Sequence, residues 1–112
     1  DAAVSLGRAY EKLGRYERAA AVLTGILPAT GRPAQVHNLL GVISIRRDDY
    51  SAAQRHFEEA VRLNPGYASA HYNLGLLYLH RGDRARALSR LRTAARLDPR
   101  YRVPERLRGS GE

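Results

Sequence analysis

Leu6-Gly7-x-x-Tyr10, Leu40-Gly41-x-x-Ser44 and Leu74-Gly75-x-x-Tyr78 follow one another at a constant interval of 34 residues. The same phase holds downstream, where Ala19, Ala53 and Ala87 align, then Leu23, Phe57 and Leu91, then Ile26, Ala60 and Ala94. A period of this length restricts what the chain can fold into. One unit is too short to bury its own apolar face, so each must stack on its neighbours to build a continuous core.

Within each copy the apolar spacing is helical. Ala53, Phe57 and Ala60 recur at i, i+4 and i+7, as do Ala87, Leu91 and Ala94, which draws one stripe along a helix with small residues where backbones approach. The spacing predicts helix pairs at about 1–13 and 16–27, 34–47 and 50–63, and 68–81 and 84–97. Gly14 and Gly82 stand just past the first helix of their copies, where a left-handed backbone costs glycine least, and Asp48-Asp49 must serve in the second copy. Pro28, Pro33, Pro65 and Pro99 mark helix ends or starts, because proline lacks the donor that a continuing helix needs. No strand pattern competes.

On these residues the chain resembles the tetratricopeptide repeat, whose pattern runs Trp-x2-Leu-Gly-x2-Tyr, then Ala-x3-Phe, then Pro. The third copy is nearest, with Tyr72-Asn73-Leu74-Gly75-Leu76-Leu77-Tyr78, Ala87, Leu91, Ala94 and Pro99. Departures are His37 and His71 for Trp, Ser44 for Tyr, Ile26 for a small residue and the shifted Pro28. The resemblance covers residues 1–99 and implies an all-α, right-handed solenoid of antiparallel helix pairs, with repeats at about 1–33, 34–67 and 68–101. A tail at 102–112 follows, in which Pro104 is expected to start one helical turn and Gly109 to end it, with disorder beyond. That turn is too short for a full capping helix, so the end of the stack is expected to be exposed and to meet a further part of a longer parent protein or another subunit.

The 112 residues make one domain, without cysteine for a disulfide or thiol metal site and without an apolar run of membrane-spanning length. Asp1 in place of an initiator Met suggests a segment or a processed product. The compartment is open, with the cytoplasm as the default. No pattern for a nucleophile, a phosphate loop or an isolated carboxylate pair is present, so the chain reads as a non-enzyme without cofactor. No two of His37, His56, His71 and His80 have the i, i+3 or i+4 spacing of ligands on one helix face, and packing explains them better than a metal.

The face of the first helix of each copy turned away from the Leu-Gly-Tyr stripe carries the functional expectation. In the third copy it holds Ser69, Asn73, Leu76 and His80, flanked by Tyr72 and Leu79; in the second it holds Gln35, Leu39, Val42 and Arg46, flanked by Asn38 and Ile45. The first copy has Asp1, Ser5, Arg8 and Lys12 there, an ordinary polar face. A helix apolar nearly all round is buried or awaits a partner. The resemblance implies a concave groove here that binds a partner peptide or helix, with Asn38 and Asn73 holding the ligand backbone. The positions of a chaperone-tail carboxylate clamp hold Val4, Arg8, Leu39, Ser69 and Asn73, which argues against that ligand.

Charge is polarised along the stack. The whole chain carries a net +8, and the third copy has seven arginines against two aspartates. In the second copy Arg55 with Glu59 and Glu58 with Arg62 are expected to pair at i, i+4. Arg86 with Arg90 and Arg92 with Arg96 are like-charge neighbours, a possible basic surface for phosphate or nucleic acid, although no aromatic residues interleave them to stack on bases. The reading is a protein-interaction scaffold; the alternatives are self-assembly into a homo-oligomer through exposed repeat ends and, less favoured, an anion-binding surface.

Overall fold

The computed structural model describes residues 2–108. Its helices are α1 (Ala2–Lys12), α2 (Tyr16–Ile26), α3 (Pro33–Arg46), α4 (Tyr50–Leu63), α5 (Ala68–His80), α6 (Arg84–Leu97) and the single turn α7 (Glu105–Arg108). The described residues contain no strand. Successive helices pack in antiparallel pairs, α1 with α2, α3 with α4 and α5 with α6, and the pairs stack into an elongated body of 43 × 26 × 20 Å.

The repeated glycine is where each pair closes. A Cβ on Gly7 would lie 2.7 Å from Leu23 Cγ, and one on Gly75 the same distance from Leu91 Cγ; at Gly41 it would overlap the Phe57 ring. The large residue of the second helix thus fills the space that the glycine leaves, and Leu23, Phe57 and Leu91 are at most 1% exposed. Ala19, Ala53 and Ala87 lie fully buried on the same stripe. One apolar cluster joins Val4, Ala19 and Leu23 to Val36, Leu40 and Ile43. A second joins Ala53 and Phe57 to Leu74, Leu77, Tyr78 and Ala87, so the core crosses each boundary between repeats.

The turns repeat as well. Gly14 and Gly82 have φ of 76° and 83°, and Asp48 holds the equivalent left-handed place at φ 58°. Asp49 and Asp83 then cap α4 and α6, each accepting at 3.1 Å from the N–H three residues on. Thr30, Asn64 and Asp98, one period apart, accept from the N–H groups of Arg32, Gly66 and Arg100 at 3.0–3.2 Å and fold the chain into the next copy.

Polar bridges tie the paired helices together. His71 Nε2 lies 2.8 Å from the Pro65 carbonyl, and its Nδ1 is 3.4 Å from Arg90 Nη1. One period earlier, His37 Nδ1 and His56 Nδ1 are 3.2 Å apart; the spacing along one helix gives no hint of this pair, because its members sit on different helices. Burial is the main cause holding both imidazoles below their ordinary pKa. Arg62 adds to this at His37 against Glu59, and His37 and Arg55 add at His56 against Asp49. The expected ion pairs of α4 are rearranged: Glu59 pairs with Arg62 at i, i+3, while Glu58 accepts from Gln54 and from the Tyr78 hydroxyl at 3.2 Å.

The tail covers part of the end that the sequence leaves exposed. Tyr101 packs on Tyr72 with ring centroids 4.8 Å apart, Arg84 Nη2 donates to the Arg106 carbonyl at 3.4 Å, and Leu107 is 1% exposed. The segment therefore runs back from the end of α6 to its start. Its expected stop at Gly109 and the disorder beyond lie outside the described residues.

Gly41→Ala is expected to cost about 1–3 kcal/mol by overpacking against Phe57, and Asp48→Gly to gain about 0.5–1 kcal/mol by relieving a left-handed backbone; urea unfolding of both variants measures this. The unfolded chain protonates its imidazoles near pH 6.5, whereas the folded His37–His56 pair resists protonation until lower pH. Stability is therefore greatest above that value and is lost as pH falls through it. Melting curves between about pH 7.5 and about pH 5.5 should show the loss, and His56→Gln should reduce it; an unchanged loss in the variant would exclude the pair as its source.

Candidate functional site

Because α3 and α5 are the first helices of adjacent copies, the stack sets them side by side with α4 behind. Between them lies a cavity of about 340 Å³ lined by Val42, Ile45 and Arg46 of α3, Tyr50 and Phe57 of α4, and Asn73, Leu76, Leu77 and His80 of α5. Val42 and Leu76 are one period apart, as are Arg46 and His80, so equivalent positions face each other across it. Leu76 is 38% exposed, large for a leucine whose neighbours Leu74 and Leu77 are buried. The Tyr50 ring, 4.7 Å from that of His80, closes one end. A larger hollow of about 580 Å³ lies at the opposite ends of the helices, among Gly31, Arg32, Pro33, Gln35, Asn64 and Tyr67. Ala34 and Leu63 line it too, but it lies away from the outer faces of α3 and α5 that carry Val42 and Leu76, and the α3–α5 cavity is the better site.

Six of the residues expected in the groove meet at this cavity: Val42, Ile45, Arg46, Asn73, Leu76 and His80. The others lie elsewhere. Asn38 is buried, donating its Nδ2 to the Tyr67 hydroxyl and Ser69 Oγ at 3.4 Å and accepting at Oδ1 from Asn73 Nδ2 at 3.0 Å. Its amide joins two repeats and is not offered to a ligand, and Ser69 is drawn into the same network. Leu39 packs on the first apolar cluster and Leu79 on the second. Tyr72 meets the tail through Tyr101. Tyr50, Phe57 and Leu77 were not expected in the site, because they belong to the second helix or to the buried stripe, and a reading of one helix face cannot show its floor.

The four arginines expected to make a basic surface, Arg86, Arg90, Arg92 and Arg96, do not form one face of α6. Arg86 pairs with Asp83 at 3.6 Å and lies 6.0 Å from the Tyr78 ring centroid, while Arg90 reaches His71. Both sit on the flank toward α5. Arg92 and Arg96 share the opposite, outward side with Ala85 and Ser89, and Arg96 donates to Thr93 Oγ1 at 3.2 Å. Tyr78, under the first pair, has its phenol pKa raised mainly by burial and further by Glu58. Among the described residues no group of three or more His, Cys, Asp or Glu side chains comes together as a metal site, and no helix is long and apolar enough to cross a membrane.

Two family models, both described as tetratricopeptide repeat, match the sequence, one over residues 44–106 and one over residues 2–34. No curated protein matches it. Among solved structures, a crystal structure of MamA superposes with a TM-score of 0.77 at 27% identity, over 87% of this chain and 57% of that one. A mutant O-GlcNAc transferase of Thermobaculum terrenum gives 0.81 at 28% identity, over 89% of this chain and 19% of that one. The chain thus spans little more than half of the first and a fifth of the second. The first TPR of Spaghetti (RPAP3), bound to the HSP90 peptide SRMEEVD, gives 0.80 at 20% identity over 88% of this chain and 78% of that one, a likeness of fold. With one model matching more than half of its length, the 34-residue period and the paired-helix stack have one explanation: the chain belongs to the tetratricopeptide repeat family.

Proposed function

We propose that the chain is a protein-interaction module that holds a segment of a partner protein in the groove between α3 and α5. The observation that carries this is Leu76, exposed in a cavity lined mainly by apolar side chains and backed by Phe57 and Leu77 of the core. An aliphatic side chain entering there would remove apolar surface from water on both partners, worth about 25 cal/mol per Å². Membership of a family of interaction scaffolds supports the reading, as do the fold neighbours solved with chaperone peptides, the first TPR of Spaghetti among them. A chaperone tail is nevertheless a poor candidate for this groove. Of the clamp positions, Val4 is buried, Leu39 packs inward, and Ser69 and Asn73 are engaged with Asn38, which leaves Arg8.

A second reading, self-association, is favoured by the other end of the stack. Leu6 is 46% exposed on α1, whereas its counterparts Leu40 and Leu74 are at most 4% exposed, each with a preceding repeat against it. Light scattering should then show mass rising with concentration, and Leu6→Glu should suppress the rise.

For the groove, a peptide selected on the chain from a random phage-displayed library is expected to lose at least about tenfold in affinity for Leu76→Asp, the scale of 1.4 kcal/mol, with helicity unchanged by circular dichroism. Leu39→Asp is not a suitable companion, since it would place a charge in the first apolar cluster. Retained affinity in Leu76→Asp would place the partner elsewhere on the chain.

A further inference from the structure

His37 and His56 stand apart from the groove, lining neither the α3–α5 cavity nor the larger hollow. His37 lies in the first half of α3 and His56 in the middle of α4, and both rings are half-buried within the second repeat. Packing of the repeat does not require them. The equivalent positions hold Ala3 with Val22 in the first copy and His71 with Arg90 in the third. There His71 commits Nε2 to the Pro65 carbonyl, and its Nδ1 faces a guanidinium 3.4 Å away. Only the second copy sets two imidazoles face to face.

The rings meet nitrogen to nitrogen, with Nδ1 atoms 3.2 Å and centroids 5.4 Å apart. As a hydrogen bond, the contact has one Nδ1 donating and the other accepting. The same separation suits a metal ion. Zinc lies about 2.0–2.1 Å from an imidazole nitrogen, and an ion at that distance from both atoms sees them at about 100–106°. That angle falls between the right angle of neighbouring ligands in an octahedron and the tetrahedral angle. Charges of both signs surround the pair: Glu59 and Arg62 act on His37, Asp49 and Arg55 on His56, so the carboxylates offset the guanidiniums.

We infer that His37 and His56 form a two-imidazole site for a late divalent transition-metal ion, with zinc as the first choice. Imidazole donors suit Zn2+, Ni2+ and Cu2+, whereas Mg2+ and Ca2+ seek oxygen. On binding, the donor ring moves its proton from Nδ1 to Nε2, so that both Nδ1 lone pairs face the ion. The rings tip toward it while their nitrogens keep their separation. Among the described residues no third His, Cys, Asp or Glu completes a cluster, which leaves the remaining positions open to water or to a donor from outside the chain. An ion held in this way clasps α3 to α4.

The test uses the full chain without a polyhistidine tag, titrated with zinc chloride by calorimetry at about pH 7.5, where both rings are neutral and ready to ligate. One ion per chain is expected. His37→Asn and His56→Gln should each weaken binding at least about tenfold, with helicity unchanged by circular dichroism, whereas His71→Gln should bind as the parent does. Excess Mg2+ should leave the titration unchanged. Electron paramagnetic resonance of Cu2+ on the unsubstituted chain should show two coupled imidazole nitrogens, a readout that stands even where a variant fails to fold. Zinc binding that survives both substitutions or is lost with His71→Gln, competition by Mg2+, or a copper spectrum with one nitrogen or none would overturn the inference. Absence of binding at about 1 mM zinc, too weak for a site of this kind, would overturn it as well.

Discussion

The contact between a glycine on one helix and a large apolar residue on the next carries the rest of this structure. Gly7 against Leu23, Gly41 against Phe57 and Gly75 against Leu91 let each helix pair close to a separation that no β-carbon permits. With the pair closed, the alanines of the second helix can lie flat against the first, and the copies can share a core across their boundaries. The leucine before each glycine adds to this only when a preceding repeat covers it, which is why Leu40 and Leu74 are buried and Leu6 is not. Stability in such a stack comes from nearest neighbours.

The groove follows from the same contact. Closing each pair fixes where α3 and α5 stand relative to one another, and the space left between them is set by the side chains of α4 behind. Asn38 and Asn73 hold that spacing from within. The hydrogen bond from Asn73 Nδ2 to Asn38 Oδ1 spans two repeats, with Tyr67 and Ser69 completing the partners of Asn38. A buried amide so committed stiffens the wall of a site without facing a ligand, and removing one member would leave the others unpaired, at about 1–3 kcal/mol each. The second and third copies therefore supply all the walls of the cavity between α3 and α5.

Much of this was legible from residue types and spacing. The helix bounds, the left-handed Asp48 in the place of Gly14 and Gly82, and the apolar outer faces of α3 and α5 all follow from period and local backbone chemistry. Side-chain partners were less legible. Asn38 flanks the outer face and Asn73 lies at its centre, and both were expected to hold a ligand, yet Asn38 is buried between repeats and Asn73 lines the cavity. His37 and His56 come together across a helix pair, which spacing along one helix cannot show. The arginines of α6 share a helix and a short stretch of sequence, but packing on α5 turns Arg86 and Arg90 to one side and leaves Arg92 and Arg96 on the other.

Taken alone, the sequence determined the repeat, its helix pairs and the face on which they pack, since periodicity and glycine placement act through neighbours close in the chain. Tertiary structure decided which members of the outer face are surface and which are mortar, and that the tail folds back to bury Leu107 at the end of the stack. Those outcomes depend on residues about one period or more apart in sequence, and only the distance between helices brings them together.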